Sequence, residues 1–263
     1  MDEVVGTFVG RWYVTIFGIA FFWCAVRHMG WRRTLLYFAA SMVVGLAFEN
    51  ASVHVGFPYT HYEFNEGLRG DELWAWDVPL MVPLSYSFMG YFAFATGRLL
   101  ASGPRHTRGR VVAECGLGVL LGVWAIWILD PVSRLGDEFY LGRLFAYDGP
   151  GFWFGLPLGS QLGFTLTSVV LVGMLTWLGR DEPDRPVTGL RRHPHLAALL
   201  TYHGQVFHLA VVALVIGAHD LGASAFLIWA PAAAVTAVHW TSERSRSTVA
   251  PGSGRPLEMA GQR

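Results

Sequence analysis

Runs of about 20 mostly apolar residues, repeated along the chain, constrain its fold more than any other feature. That is the length of helix needed to cross the hydrocarbon core of a bilayer. Seven such blocks run approximately from Thr7 to Val26, Thr34 to Phe57, Trp74 to Leu99, Val111 to Asp130, Phe152 to Leu178, His195 to Ala218 and Leu221 to Trp240. A soluble domain of 263 residues would alternate apolar and polar faces, whereas 53% of this chain is hydrophobic and concentrated in those blocks. The sequence therefore predicts an all-α, polytopic integral membrane bundle of about seven transmembrane helices. Such a chain is a multi-pass protein of the cell membrane, with the lipid bilayer as its first partner.

The basic residues set the orientation. Arg27, Arg32 and Arg33 follow the first block, and Arg98, Arg105, Arg108 and Arg110 follow the third. Arg180, Arg185, Arg191 and Arg192 follow the fifth, and Arg244 and Arg246 the seventh. The alternate loops hold only Arg69, Arg134 and Arg143, beside Asp71, Glu72, Asp137, Glu138 and Asp148. The positive-inside bias puts the N-terminus outside and the C-terminus inside. The opening "MDEVVG" has no basic n-region and no small-residue cleavage site follows, so no signal peptide is expected. Residues 1–240 read as a single transmembrane domain. Residues 241–263, polar and rich in Gly, Pro and Ser, read as a disordered cytoplasmic tail. A net charge of zero argues against nucleic acid as a partner. Cys24 and Cys115 fall near cytoplasmic helix ends, where thiols stay reduced.

On that topology the polar residues converge on the outer leaflet. Glu49, Asn50 and His54 lie in the outer half of the second helix, Asp77 at the outer start of the third and Asp130 at the outer end of the fourth. Tyr59, His61, Tyr62 and Glu63 occupy the next outer loop, Asp148 precedes the fifth helix and Gln161 enters it. Asp77 and Asp148, near helix N-termini, suit the helix dipole; Asp130, at a C-terminus, opposes it and needs a partner or a proton. His203 and His208 are about 140° apart around their helix and read as packed, hydrogen-bonded residues. Glu114 reads as snorkelling to the interface. Glu49 differs because it lies inside its span, where a carboxylate costs about 2.5–3.5 kcal/mol and marks either a pathway or site or a buried structural pair. Aromatic residues surround the same level, Tyr86, Phe145 and Tyr147 among them, and an interfacial belt accounts for about half of the set. Trp124 and Trp127, one turn apart beside Asp130, are candidates for lining a cavity.

Several chemistries are missing. All 19 basic residues are arginine, so a retinal Schiff base has no lysine to form on. There are no Asp-rich diphosphate-binding helices, histidine boxes, Gly-rich nucleotide loops or paired-Cys sites, so neither metal nor cofactor is expected. Carboxylic acids and aromatics at lipid depth remain, and they suit proton-driven chemistry on a hydrocarbon.

Three stretches resemble a known family. "ENASVHVGFPYTHYEF" is similar to a helix-borne Glu followed by Gly-x-Pro-aromatic and a Tyr-x-aromatic pair. "DVPLMVPLSYSFMGY" is similar to a Val-Pro-Leu helix start, and "LDPVSRLG" with "YDGPGFWFGLPLGSQLGF" to an Asp-Pro, Gly, Gly-x-Pro-Leu segment. Together, over roughly Glu49 to Gly163, they resemble the membrane carotenoid-biosynthesis proteins whose characterised members are carotenoid 1,2-hydratases. Those add water to the terminal double bond of acyclic ends, as in γ-carotene or bisanhydrobacterioruberin. The chain departs from that pattern with Gln161 and Phe164 where Asn and Trp are common, Thr60 where Gly is expected, and an added Asp77.

The resemblance implies an isoprenoid substrate, a hydro-lyase activity, and other isoprenoid-pathway enzymes as candidate partners. Protonating a trisubstituted alkene yields a tertiary carbocation, so the site needs a retained proton and cation stabilisation by aromatic faces or a carboxylate. Glu49 or Asp77 is the expected proton donor, with Asp130 stabilising the cation or taking a proton from water. Asn50, His54 and Tyr59 would orient that water, with Tyr62 and Gln161 also facing the substrate. Trp124, Trp127 and Trp153 would wall the cation. If water is excluded, the same equipment makes a protonation-initiated terpene cyclase or isomerase. A non-enzymatic isoprenoid-binding or transport protein is the third reading.

Overall fold

The computed structural model describes residues 2–101, 107–135, 143–149, 151–180 and 194–248. A short turn of helix, α1 (Glu3–Val5), and a π-helical turn (Gly6–Gly10) lead into α2 (Trp12–Val55). Then come α3 (Met81–Leu100), α4 (Arg108–Ser133), α5 (Leu158–Leu178), α6 (Pro194–Val215) and α7 (His219–Thr248). Five of these, α2 and α4 to α7, are long and apolar enough to cross a membrane.

At 44 residues α2 is twice the length a crossing requires, but it is not one rod. Gly30 has φ 82° and ψ 164°, a conformation open to a residue without Cβ. Phe22 and Phe38 have ring centroids 5.1 Å apart, whereas 16 residues of straight helix would separate them by about 24 Å. The chain therefore doubles back at Gly30 into two arms, residues 12–29 and 31–55, matching the first two apolar blocks.

Helix α3 is absent from the five because it carries Ser85, Ser87, Tyr91, Thr96 and Arg98. It can carry them because α2, α4, α5 and α6 all pack around it, and most of its residues from Tyr86 to Arg98 are buried. Ser85 and Ser87 return their hydroxyls to the carbonyls of Val82 and Leu84, so neither needs an outside partner. Small residues let the backbones meet: a Cβ on Gly97 would lie 2.6 Å from the Gly118 nitrogen on α4.

The connections at one end of the bundle are structured. Strand β1 (Tyr62–Phe64) pairs antiparallel with β4 (Phe145–Tyr147), Tyr62 opposite Tyr147 and Phe64 opposite Phe145. A second hairpin joins β2 (Trp74–Ala75) to β3 (Val78–Pro79). The sequence places Trp74 to Leu80 inside the third helix. Instead the chain turns at Trp76, with φ 56°, and Pro79 lacks the N–H that a helix interior requires, so α3 starts at Met81. Asp77 thus sits at a hairpin tip, not a helix N-terminus. Residues 152–157 likewise form a turn, with positive φ at Phe154 and Gly155, and α5 starts only at Leu158. The N-terminal segment is tied to this same end. Arg11 Nε donates to Glu72 Oε1 at 2.7 Å, both side chains buried, and Leu73 N donates to Thr7 Oγ1 at 2.7 Å.

At the opposite end Glu114 does not snorkel. It is buried and ion-paired to Arg98 at 3.1 Å, and Arg98 Nη1 also lies 3.1 Å from His28 Nε2. Helix α7 continues to Thr248, past the expected start of the tail; residues 249–263 lie outside the described residues. So do Arg105, Asp137, Glu138, Arg185, Arg191 and Arg192.

Candidate functional site

The helices enclose a cavity of about 130 Å³, lined by both arms of α2 and by α3, α4, α5 and α6. The β1–β4 ribbon roofs it. Alternate residues of a strand point to opposite faces, so Tyr62, Phe64, Phe145 and Tyr147 are buried while Glu63 and Ala146 are exposed. Tyr62 gathers that roof, with ring centroids 5.2 Å from Phe64, 5.8 Å from Phe145 and 5.2 Å from Tyr147. Phe17, Phe88, Met89, Ile126 and Leu171 supply apolar walls.

Two acids line this space. Glu49, on the second arm of α2, is 4% exposed, and Asp130, in the last turn of α4, is 6% exposed. The Tyr86 hydroxyl donates to Glu49 Oε1 and lies 2.8 Å from the Tyr59 hydroxyl. Tyr59 in turn is 2.6 Å from Thr167 Oγ1, which donates to the Gly163 carbonyl at 3.0 Å. Tyr59 is seated by its own N–H, which donates to Ser52 Oγ at 3.0 Å, and by Phe164 stacked 4.4 Å away. Gly163 makes room for this loop: a Cβ there would lie 2.4 Å from the Pro58 oxygen. Among the described residues Glu49 makes no ion pair and its Oε2 no hydrogen bond. The buried Asp130 Oδ2 and Tyr62 hydroxyl also lack hydrogen-bond partners there. Burial, the largest influence on it, pushes the Tyr147 phenol well above its ordinary pKa. Its hydroxyl lies 2.7 Å from Ser160 Oγ.

Of the residues singled out in the sequence, Glu49, Asp130 and Tyr62 line the cavity, and Tyr59 lies behind Tyr86. Asp77 does not join them. Its side chain is 43% exposed, accepts from Arg69 Nη2 at 2.8 Å and lies 3.1 Å from His54 Nε2, itself 61% exposed. Asn50 donates to the Leu46 carbonyl and accepts from Asp77 N at 3.5 Å. Asp77, Asn50 and His54 thus bind the β2–β3 hairpin to α2 outside the cavity. Asn50 is turned about 100° around the helix from Glu49 and meets the hairpin instead of the cavity. On α4 the stripe of Gly122, Ile126, Leu129, Asp130 and Ser133 faces the cavity and leaves Trp124 and Trp127 to one side. Trp127 and Trp153 pack on each other at 5.5 Å, Trp153 Nε1 donating to the Trp127 carbonyl, outside the lining. Gln161 is buried outside the lining too, its amide atoms without partners among the described residues. His203 is bonded to Thr236 and Trp229, as a packed histidine is, whereas His208 lines the cavity.

Sequence reasoning missed Tyr86, Thr167, Tyr147, Gln205 and His208 as parts of the site. Tyr86 and Tyr147 carry an aromatic signature that reads as an interfacial belt. Thr167 carries no local signal, because its partner Tyr59 is 108 residues away.

Fold and site together define a helical membrane protein with an acid-bearing apolar cavity beneath an aromatic roof. The family is equally definite: the carotenoid biosynthesis protein model matches residues 9–238, a stretch containing every cavity-lining residue, and the chain belongs to that family. No curated protein and no solved structure matches it. Membership fits a carotenoid-modifying role.

Proposed function

We propose that the protein is a membrane enzyme that hydrates the terminal trisubstituted double bond of an acyclic carotenoid or related isoprenoid, as a carotenoid 1,2-hydratase does. One observation carries this reading: Glu49 is buried, with no cation partner among the described residues, in an apolar cavity that also holds Asp130. In the proposed reaction the Glu49 O–H bond breaks, and the alkene π pair forms a C–H bond with that proton. A tertiary cation remains, facing the rings of the roof, which favour a positive charge. A water oxygen bonds to the cation and loses its proton to the Asp130 carboxylate. That proton returns to Glu49 through water in the cavity, so the net change is addition of one water. Asp77 has no part in it.

The reading extends to topology. The two arms of α2 and the enwrapped α3 complete seven spans of the cell membrane. The end bearing Arg27, Arg32, Arg33, Arg98, Arg108, Arg110 and Arg180 faces the cytoplasm, and the roofed end faces outward.

A second reading, protonation-initiated cyclisation or isomerisation, is favoured by the four-ring roof, which can hold a cation without water. Expression in cells that make lycopene or γ-carotene, followed by mass spectrometry of the extract, separates the readings. A product heavier by one water supports hydration, and an isomer of unchanged mass supports cyclisation. No turnover of any polyene by folded protein removes both and favours a binding or transport role.

A further inference from the structure

We infer that Tyr86, Tyr59 and Thr167 form a hydroxyl chain that sets which oxygen of Glu49 carries its proton, making all three positioning residues for the acid; this rests on the proposed proton transfer from Glu49. The chain runs from Glu49 Oε1 through Tyr86, Tyr59 and Thr167 to the Gly163 carbonyl. Every side chain in it is buried, Tyr59 at 0% and Tyr86 at 7% exposed being the extremes, so solvent does not compete for its protons.

Each hydroxyl has one proton to give. The chain has four contacts, and its three hydroxyls alone cannot fill them. With the Glu49 proton on Oε1, four protons fill four contacts, all pointing away from the carboxyl towards Gly163. Oε2 is then bare. With the proton on Oε2, the three hydroxyls reverse and point towards Oε1, and Thr167 gives up the Gly163 oxygen to donate to Tyr59. The first arrangement holds the proton against Tyr86. The second leaves it on the oxygen that makes no hydrogen bond, on a residue that lines the cavity.

Transfer from the second arrangement is the productive one. As the O–H bond breaks and the alkene gains the proton, the carboxylate already accepts from Tyr86, which accepts from Tyr59, which accepts from Thr167. Hydrogen bonds in series polarise one another, so the far members of the chain strengthen the near one. Each hydroxyl has two acceptors within reach. Thr167, at the far end, chooses between the Gly163 carbonyl and Tyr59, and because each hydroxyl has one proton its choice is tied to the direction of the others.

The test uses purified full-length protein in lipid and two readouts. Infrared spectroscopy identifies the protonated-carboxyl band of Glu49 as the one lost in Glu49→Gln. Thr167→Val, close in shape but without a hydroxyl, is expected to shift that band and to lower kcat about tenfold, the rate equivalent of one hydrogen bond, with KM unchanged. Thr167→Ser, which restores the hydroxyl, is expected to rescue both. An unshifted band with wild-type kcat in Thr167→Val overturns the chain. So does a Thr167→Ser variant as impaired as Thr167→Val, which would make the effect one of packing. Active Glu49→Gln would instead sink the proposed reaction itself, whereas inactive Glu49→Gln beside an unaffected Thr167→Val sinks only the chain.

Discussion

Glu49 and Glu114 are both glutamates buried in apolar helices, 4% and 5% exposed, at opposite ends of the bundle. Burial is therefore not what separates them. Glu114 sits against the Arg98 guanidinium at 3.1 Å, and a buried carboxylate so paired has its charge offset where it stands and no proton to give. Glu49 accepts from the Tyr86 phenol, lines the cavity with Asp130, and has no cation partner among the described residues. A carboxyl among neutral hydroxyls can carry a proton and release it to something that enters. The lesson is that the partner, more than the depth, distinguishes a structural acid from a chemical one.

The widest separation between the two should come from paired substitutions. Glu49→Gln is expected to lower turnover by about 10²–10⁴-fold, the range of general-acid catalysis, while the unfolding midpoint in detergent stays near wild type. Glu114→Gln should do the reverse, costing about 3–5 kcal/mol in chemical unfolding by stranding Arg98, with turnover per folded molecule retained. If both glutamates behave alike in either assay, the distinction fails. Next in size, Asp130→Asn is expected to cut the hydrated product about 10²-fold and leave product of unchanged mass in the same extract, because protonation survives while water loses its base. Smallest is Asp77→Asn. It removes one member of a half-exposed surface cluster with Arg69 and His54, so stability should move by no more than about 1 kcal/mol and turnover not at all. A loss of turnover there to match Glu49→Gln would return Asp77 to the site.

Glu49 was legible because an ionisable residue within a span is costly wherever the helix ends up, so its position alone argues for a role. Asn50 and His54, beside it in sequence, were drawn into the same site by proximity, and helix phase sends them to the hairpin instead. Asp77 was misplaced for a different reason. "WAWDVP" continues an apolar block, and hydropathy does not distinguish a membrane hairpin from the first turns of a helix. Conversely Thr167, an ordinary threonine in an apolar helix, gains its place only because Gly163 lets the loop carrying Tyr59 come close.

What the residues dictated unaided was helical membrane architecture, a break between the first two apolar blocks and one conspicuous acid within a span. Each follows from the cost of placing a group in hydrocarbon, which is local and additive along the chain. The pairing of β1 with β4, the burial of α3 with its serines and Arg98 at the centre, the placing of Glu49 and Asp130 on one cavity and the hydroxyl path to Gly163 were decided by tertiary packing. Those depend on rotation and depth of one helix against another, where a shift of one residue, about 100° of turn, sends a side chain to a different neighbour.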